Sequence, residues 1–251
     1  MIDRASGLEE LSQRAAEFCA QCAEEAIRAR RRFTIALTGG STPRRLYEIL
    51  AAKPWAGRIE WSHWHVFWGD ERMVPSDDEE SNCHLAVSTL LRNVPVPSEQ
   101  IHCIPTAQGS PAEVAEAYEG EIRRIFDLPL SANDWPRFDL VLLGLGADGH
   151  VASLFPGFPT LDETRRLVVW SPPGRLPPHV DRVTLTMPVL NAARAVVFLV
   201  SGAEKAPAVR GALTGDKSLP AARVQPTAGD LRWYVDAAAL SQTPTDLREN
   251  E

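Results

Sequence analysis

Short apolar runs alternate along this chain with segments in which apolar residues return every three or four positions. The runs at residues 33–38, 64–68, 101–104, 138–143 and 196–200 are strand-sized, and further strands are expected near Leu167 and Val183 and at 233–235. Leu8, Leu11, Ala15, Phe18 and Cys22 mark one face of a first helix, and other helices are expected at about 43–52, 82–91, 112–126 and 205–213. Residues 69–81 are polar and read as a loop. Strands alternating with helices predict an α/β fold, a mostly parallel sheet with helices on both faces. The proline-rich stretches at 95–97 and 172–178 read as loops rather than linkers, so residues 1–251 are expected to form a single domain.

Composition narrows the picture. A net charge of −7 argues against a nucleic-acid partner, and the cluster Arg28, Arg30, Arg31 and Arg32 follows a helix, where cations favour its dipole. The longest apolar runs are too short to span a membrane. The start, MIDRASGLEELSQR, has no secretory core, which places the chain in the cytoplasm. The four cysteines suit that compartment. Cys19 and Cys22 lie inside the first helix rather than opening one after a strand, so they are not a redox pair. Cys83-His84 and His102-Cys103 are spaced too irregularly for zinc and are expected to be small core residues, leaving no metal site.

The most informative stretch is LLGLGADGHVASLFPG, Leu142 to Gly157. An apolar strand drops into a glycine turn that ends on Asp148-Gly149-His150. A ligand can approach such a backbone closely, and histidine is the side chain best matched to proton transfer near neutral pH. A histidine satisfied by backbone is the plainer alternative; its place after Asp148-Gly149 at a strand end favours catalysis. Gly144, Gly146 and Gly149 also satisfy the dinucleotide pattern G-x-G-x-x-G. Pro156 and Pro159 cut short the crossover helix that pattern needs, and the following strand ends in Ser171-Pro172-Pro173 without a carboxylate. No dinucleotide cofactor is expected.

Two more turns follow strands. Thr38-Gly39-Gly40-Ser41-Thr42-Pro43 joins glycines, hydroxyl N-cap candidates and a proline at a helix start, where backbone N–H groups attract anions. It lacks the lysine of a nucleotide P-loop, so a smaller phosphorylated ligand fits better. In Gly69-Asp70-Glu71-Arg72 the carboxylates either hold a metal or pair with the arginine, and Arg72 is suited to grip a phosphate. The acidic run 77–80 reads as a solvated face. Arg182 opens a strand, and Lys205 sits at a helix start, which is unfavourable for the dipole unless an anion is near. No G-x-S-x-G elbow offers a nucleophilic serine.

Taken in order, these segments resemble the 6-phosphogluconolactonase family, whose pattern reads TGGSTP, GDER followed by VP and SN, GxGxDGHxASLFPG, RVTLT and SGxEK. The matching positions here are Thr38–Pro43, Gly69–Arg72 with Val74-Pro75 and Ser81-Asn82, Gly144–Gly157, Arg182–Thr186 and Ser201–Lys205. Val151, Ser76 and Cys83 depart from the usual residues. The resemblance implies a Rossmann-like fold shared with glucosamine-6-phosphate deaminases and ribose-5-phosphate isomerases. It implies hydrolysis of 6-phospho-D-glucono-1,5-lactone to 6-phospho-D-gluconate in the pentose phosphate pathway, without metal, cofactor or covalent intermediate, by an enzyme expected to be monomeric. His150 would be the general base, and Asp148 would position its loop or pair with the imidazolium. Arg72, Arg182 and Lys205 would hold the phosphate, with Asp70, Gly146 and the turn Gly39, Gly40, Ser41 and Thr42 completing the substrate site. In deaminases the second motif resembles MDEY and the third continues into NEPG; this chain has GDER and SLFPG there.

Overall fold

The computed structural model describes residues 1–129 and 134–248. Its strands are β1 (Ile2–Ala5), β2 (Phe33–Leu37), β3 (Trp64–Trp68), β4 (Asp70–Arg72), β5 (Leu140–Leu143), β6 (Val168–Ser171), β7 (Arg182–Leu185), β8 (Ala195–Val200) and β9 (Asp230–Asp236). The helices are α1 (Leu8–Arg30), α2 (Ser41–Leu50), α3 (Trp55–Arg58), α4 (Asn82–Ala86), α5 (Pro111–Phe126), α6 (Met187–Ala192), α7 (Ala206–Leu213), α8 (Pro220–Arg223) and α9 (Thr245–Arg248). Six strands form a parallel sheet in the order β1-β9-β8-β5-β2-β3. β2, β5 and β8 are buried at every position, as apolar parallel strands covered on both faces must be. The mostly parallel α/β architecture expected from the pattern is the one observed.

Local chemistry sets the helix ends. α1 carries Glu9 and Glu10 in its first turn and Arg28 and Arg30 in its last, complementing its dipole, and it packs on α2 and against β9 and β2. α5 opens with a capping box: the Ser110 hydroxyl accepts from the Glu113 N–H while the Glu113 carboxylate accepts from the Ser110 N–H. The Tyr118 hydroxyl of α5 accepts from the Trp68 N–H at 2.8 Å and donates to the Trp68 carbonyl at 3.0 Å, which fixes the helix on the end of β3.

Several expectations are corrected. β6 and β7 do not join the parallel sheet. They form a second, antiparallel sheet with β4, in the order β4-β7-β6, and β4 lies in the stretch expected to be a loop. Residues 101–104 form no strand: Ile101 makes only an isolated bridge to Val66. The chain then turns away, because Pro105 lacks an N–H to pair and Cys103 is bonded to Cys83. That disulfide closes a separation of 20 residues and replaces the free core thiols expected there; such bonds are rare in reducing compartments. The helix expected at 82–91 is α-helical only to Ala86 and continues as a π turn over Val87–Leu91. Among the described residues no helix is long and apolar enough to cross a membrane.

The centre of the sheet is locked by one carboxylate. Asp139, immediately before β5, accepts from the Thr34 N–H at 2.8 Å, the Thr34 hydroxyl at 2.9 Å and Arg30 at 2.7 Å, and it is almost fully buried. Its own N–H donates back to Thr34. These bonds fix β5 against β2 with Ile35 opposite Leu140. Truncation strands a buried N–H and hydroxyl and leaves Arg30 without its acceptor. Asp139→Ala is therefore expected to lower unfolding free energy by about 2–4 kcal/mol; urea titration of the two proteins measures it, and a loss below about 0.5 kcal/mol would show that the clamp does not hold the register.

Candidate active site

The carboxyl ends of β2, β5 and β8 meet the second sheet around one cavity of about 240 Å³. This is the edge at which open α/β sheets place their ligands. The turn after β2 contributes Thr38, Gly39 and Gly40, and the turn after β5 contributes Gly144, Gly146 and His150. Asp70 and Arg72 enter from β4, Arg182 from β7, and Lys205 from the start of α7.

His150 Nδ1 lies 2.6 Å from Asp148 Oδ1. A carboxylate only accepts, so Nδ1 carries the hydrogen and Nε2 keeps its lone pair for the cavity. Burial alone would raise the Asp148 pKa; the hydrogen bond and charge of His150 outweigh it and hold the carboxyl below its usual value. The pair folds directly over Gly146, where a Cβ would fall 2.0 Å from His150 Nδ1 and 2.6 Å from Asp148 Oδ1. Only glycine leaves room for it.

β4 and β7 pair so that Arg72 stands opposite Arg182 and Asp70 opposite Thr184. Directly opposed residues share a face, so two like charges are neighbours across the ladder, an arrangement that costs stability without an anion between them. Arg182 is 5% exposed and has no carboxylate within ion-pair distance among the described residues; its Nη2 donates to the Pro178 carbonyl at 3.2 Å. Burial pushes its guanidinium below the usual arginine value. Arg72 donates to the Glu80 carbonyl and sits 3.8 Å from the Glu80 carboxylate, so Glu80 is not merely the solvated charge expected of the acidic run.

Glu71 faces away from this cavity and does not pair with the arginine beside it. Its buried carboxylate accepts from the N–H groups of Arg72, Asn82 and Cys83 at 2.7–2.8 Å and from the Ser81 hydroxyl at 2.9 Å. Burial pushes its pKa up while these donors pull it down, and burial prevails. The hub pins the start of α4 to β4 and thereby sets Asn82, whose Nδ2 donates to the Asp70 carbonyl at 2.8 Å. The Asn82 amide leaves no room for a side chain at Gly39, where a Cβ would fall 1.8 Å from its Oδ1.

Of the residues picked out in the sequence, Gly39, Gly40, Asp70, Arg72, Gly146, His150, Arg182 and Lys205 border the cavity, and Asp148 stands behind His150. Ser41 and Thr42 do not border it. They lie in the first turn of α2, whose N-cap is Gly40 at φ 108° with no side-chain cap, so the expected hydroxyl cap is absent. Sequence reasoning missed Asn82 and Ser153 as site residues. The Ser153 hydroxyl donates to Asp70 at 2.5 Å, and its N–H donates to the Thr184 hydroxyl at 3.2 Å. Their positions in SN and ASLFPG were the available signal. Leu176 and Pro177, which add an apolar wall, carried none. Among the described residues no group of three or more His, Cys, Asp or Glu side chains is placed to hold a metal ion.

Fold and site together define a Rossmann-like α/β protein with a cationic cavity and a carboxylate-paired histidine at the carboxyl edge of its sheet. The family described as glucosamine-6-phosphate isomerases/6-phosphogluconolactonase matches residues 6–233, and the chain belongs to it. It is 41% identical over 219 residues to a 6-phosphogluconolactonase of Nostoc sp., covering 86% of this chain and 87% of that protein. The solved 6-phosphogluconolactonase of Trypanosoma cruzi superposes with a TM-score of 0.84 at 30% identity, over 96% of this chain and 95% of that one. A monomeric glucosamine-6-phosphate deaminase shares the fold at 20% identity, with a TM-score of 0.80 over 96% of this chain and 99% of that one.

The Glu71 hub makes a direct prediction. Glu71→Ala leaves three backbone N–H groups and a hydroxyl without their acceptor, and a loss of about 2–4 kcal/mol in unfolding free energy is expected. Chemical denaturation measures it; a loss under about 1 kcal/mol would show that solvent replaces the carboxylate readily.

Proposed function

We propose that this chain hydrolyses 6-phospho-D-glucono-1,5-lactone to 6-phospho-D-gluconate, with His150 as general base and with no covalent intermediate or cofactor. The observation that carries the reading is the like-charged pair Arg72 and Arg182, opposed across the ladder in the same cavity as Lys205 and His150. Three cations suit a phosphate dianion, and the carboxylate-tied imidazole in the same cavity suits proton transfer. The relatives named 6-phosphogluconolactonase support the choice of substrate. We infer further that residues 1–251 act as one domain and as a monomer, since the cations and the histidine that the reaction needs are all supplied within this chain.

In the reaction, His150 Nε2 takes a proton from water as its oxygen bonds to the lactone carbonyl carbon. The imidazolium, stabilised by Asp148, returns that proton to the ring oxygen as the ester C–O bond breaks. The products are a hydroxyl and a carboxylic acid, which ionises to the carboxylate by giving its remaining proton to solvent. Gly39 and Gly40, which border the cavity at the N-terminus of α2, offer backbone donors for the developing oxyanion. Purified protein assayed with the phosphorylated lactone and, separately, with glucosamine 6-phosphate tests the assignment; ammonia release without lactone hydrolysis would replace it by deamination.

Each role carries a mutational outcome. His150→Ala is expected to lower turnover by roughly two to four orders of magnitude above the spontaneous background. Asp148→Asn removes the negative charge that favours the imidazolium, so the acidic limb of the kcat/KM profile moves to lower pH while turnover falls. A limb that stays put would detach Asp148 from the base. For the phosphate, Arg182→Ala and Lys205→Ala are each expected to raise KM for the phosphorylated lactone roughly ten- to a hundredfold. Hydrolysis of unphosphorylated gluconolactone responds much less. Equal damage to both lactones would mean that these cations do not read phosphate.

A further inference from the structure

Phe155 has no part in the chemistry above, yet its ring neighbours both the histidine and a cation of the site. Its ring is buried, with its centroid 4.9 Å from that of the His150 imidazole at an interplanar angle of 55°. The Arg182 guanidinium carbon lies 5.6 Å from the same ring centroid. Arg182 has no carboxylate partner among the described residues and one carbonyl acceptor, so the ring is a principal contact of a buried cation. An aromatic ring attracts a guanidinium most strongly where water is excluded.

The backbone that carries Phe155 has little freedom to adjust. Two residues earlier, Ser153 is tied through its hydroxyl to Asp70 on β4 and through its N–H to Thr184 on β7. The Leu154 N–H donates to the Val151 carbonyl at 2.9 Å, and the Phe158 ring lies 5.3 Å from the Phe155 ring. The loop that bears His150 and the sheet that bears Arg182 are thus bonded to each other at Ser153, and both residues neighbour one rigid ring at Phe155.

The geometry points to Phe155 as a positioning residue that sets the separation between His150 and Arg182, and so selects substrates whose reacting carbonyl and phosphate are that far apart. The inference rests on the lactonase reading for its choice of substrate. It goes beyond it by assigning the selectivity for phosphorylated over unphosphorylated lactone to a side chain that touches neither reacting group. A leucine at this position keeps the site apolar but loses the flat face under the guanidinium and the rigid ring that both groups neighbour.

The test uses Phe155→Leu, with Phe155→Met as a second variant, similar in volume to leucine but longer and better able to fill an irregular gap, should leucine destabilise the fold, and thermal melting to confirm that each is folded. The ratio of kcat/KM for phosphorylated over unphosphorylated gluconolactone is expected to fall roughly three- to thirtyfold, the range of a desolvated cation–ring contact. The affinity for inorganic phosphate, measured calorimetrically, is expected to fall by a similar factor. Both effects should largely vanish in an Arg182→Ala background, because contacting residues that act through one another are not additive. Equal losses on both lactones, or full additivity with Arg182→Ala, would make Phe155 packing alone and overturn the inference. The phosphate measurement needs no turnover. A wild-type protein that hydrolyses neither lactone would refute the lactonase reading, while the dependence of phosphate affinity on Phe155 and Arg182 would still decide whether the ring positions the guanidinium.

Discussion

The parallel pairing of β2 with β5 is the constraint on which the site depends. Chain order carries β2 outward to β3 on one side, while β5 continues through β8 and β9 on the other, so the crevice where the two directions diverge opens at their carboxyl ends. Parallel strands point the same way, and the turns after β2, β5 and β8 therefore all emerge at one edge. Asp139 and Thr34 lock this pairing at the opposite, amino end. A register slip there would carry Gly144–His150 away from Gly39–Gly40 and invert the faces of an entirely apolar strand.

The second sheet solves a different problem, that of bringing cations together. Two unit charges about 5 Å apart repel by roughly 3 kcal/mol at an effective dielectric constant of about 20. A ladder that sets Arg72 opposite Arg182 must offset a repulsion of that order. The Glu80 group, the Pro178 carbonyl, the Phe155 ring and the nearby Asp70 charge each supply part of the offset without neutralising the cavity. Fixed in this way, the arginines need little reorganisation when a dianion arrives, which favours binding through preorganisation rather than through added contacts.

How much of this was legible in the sequence follows from the range of each interaction. Glycine turns directly after apolar strands are local signals, and they led to Gly39, Gly40, Gly146 and His150, which border the cavity. β4 was hidden because it is three residues long, polar, and defined only by a partner more than a hundred positions away in β7. The antiparallel pairing of β6 with β7 is local, from Ser171 opposite Arg182 to Val168 opposite Leu185, but their apolar runs look like any other strand. Ile101–Ile104 shows the converse: a strand-like run next to a sheet edge is drawn away by Pro105 and the Cys83–Cys103 bond. Asn82 escaped notice because its role comes from Glu71, whose four donors gather only in the folded chain.

The buried and half-buried carboxylates separate by how much of their acceptor capacity is used. An ionised carboxylate has about four lone-pair positions. Glu71 fills its own with three N–H groups and a hydroxyl, and Asp139 fills its own with Thr34 and Arg30. Saturated groups of this kind have nothing left for a ligand and serve the fold. Asp148 differs: its side-chain and backbone donors from His150 both fall on Oδ1, and the imidazole it holds is itself the group that must gain and lose a proton. Asp70 also differs, with Ser153 on one oxygen and a longer contact from Asn82 on the other, at the cavity wall. Spare acceptor capacity beside the cavity, rather than burial or a shifted pKa, is what distinguishes the carboxylates suited to chemistry from those that hold the chain in place; Glu71 has the shifted pKa and the burial, and it is structural.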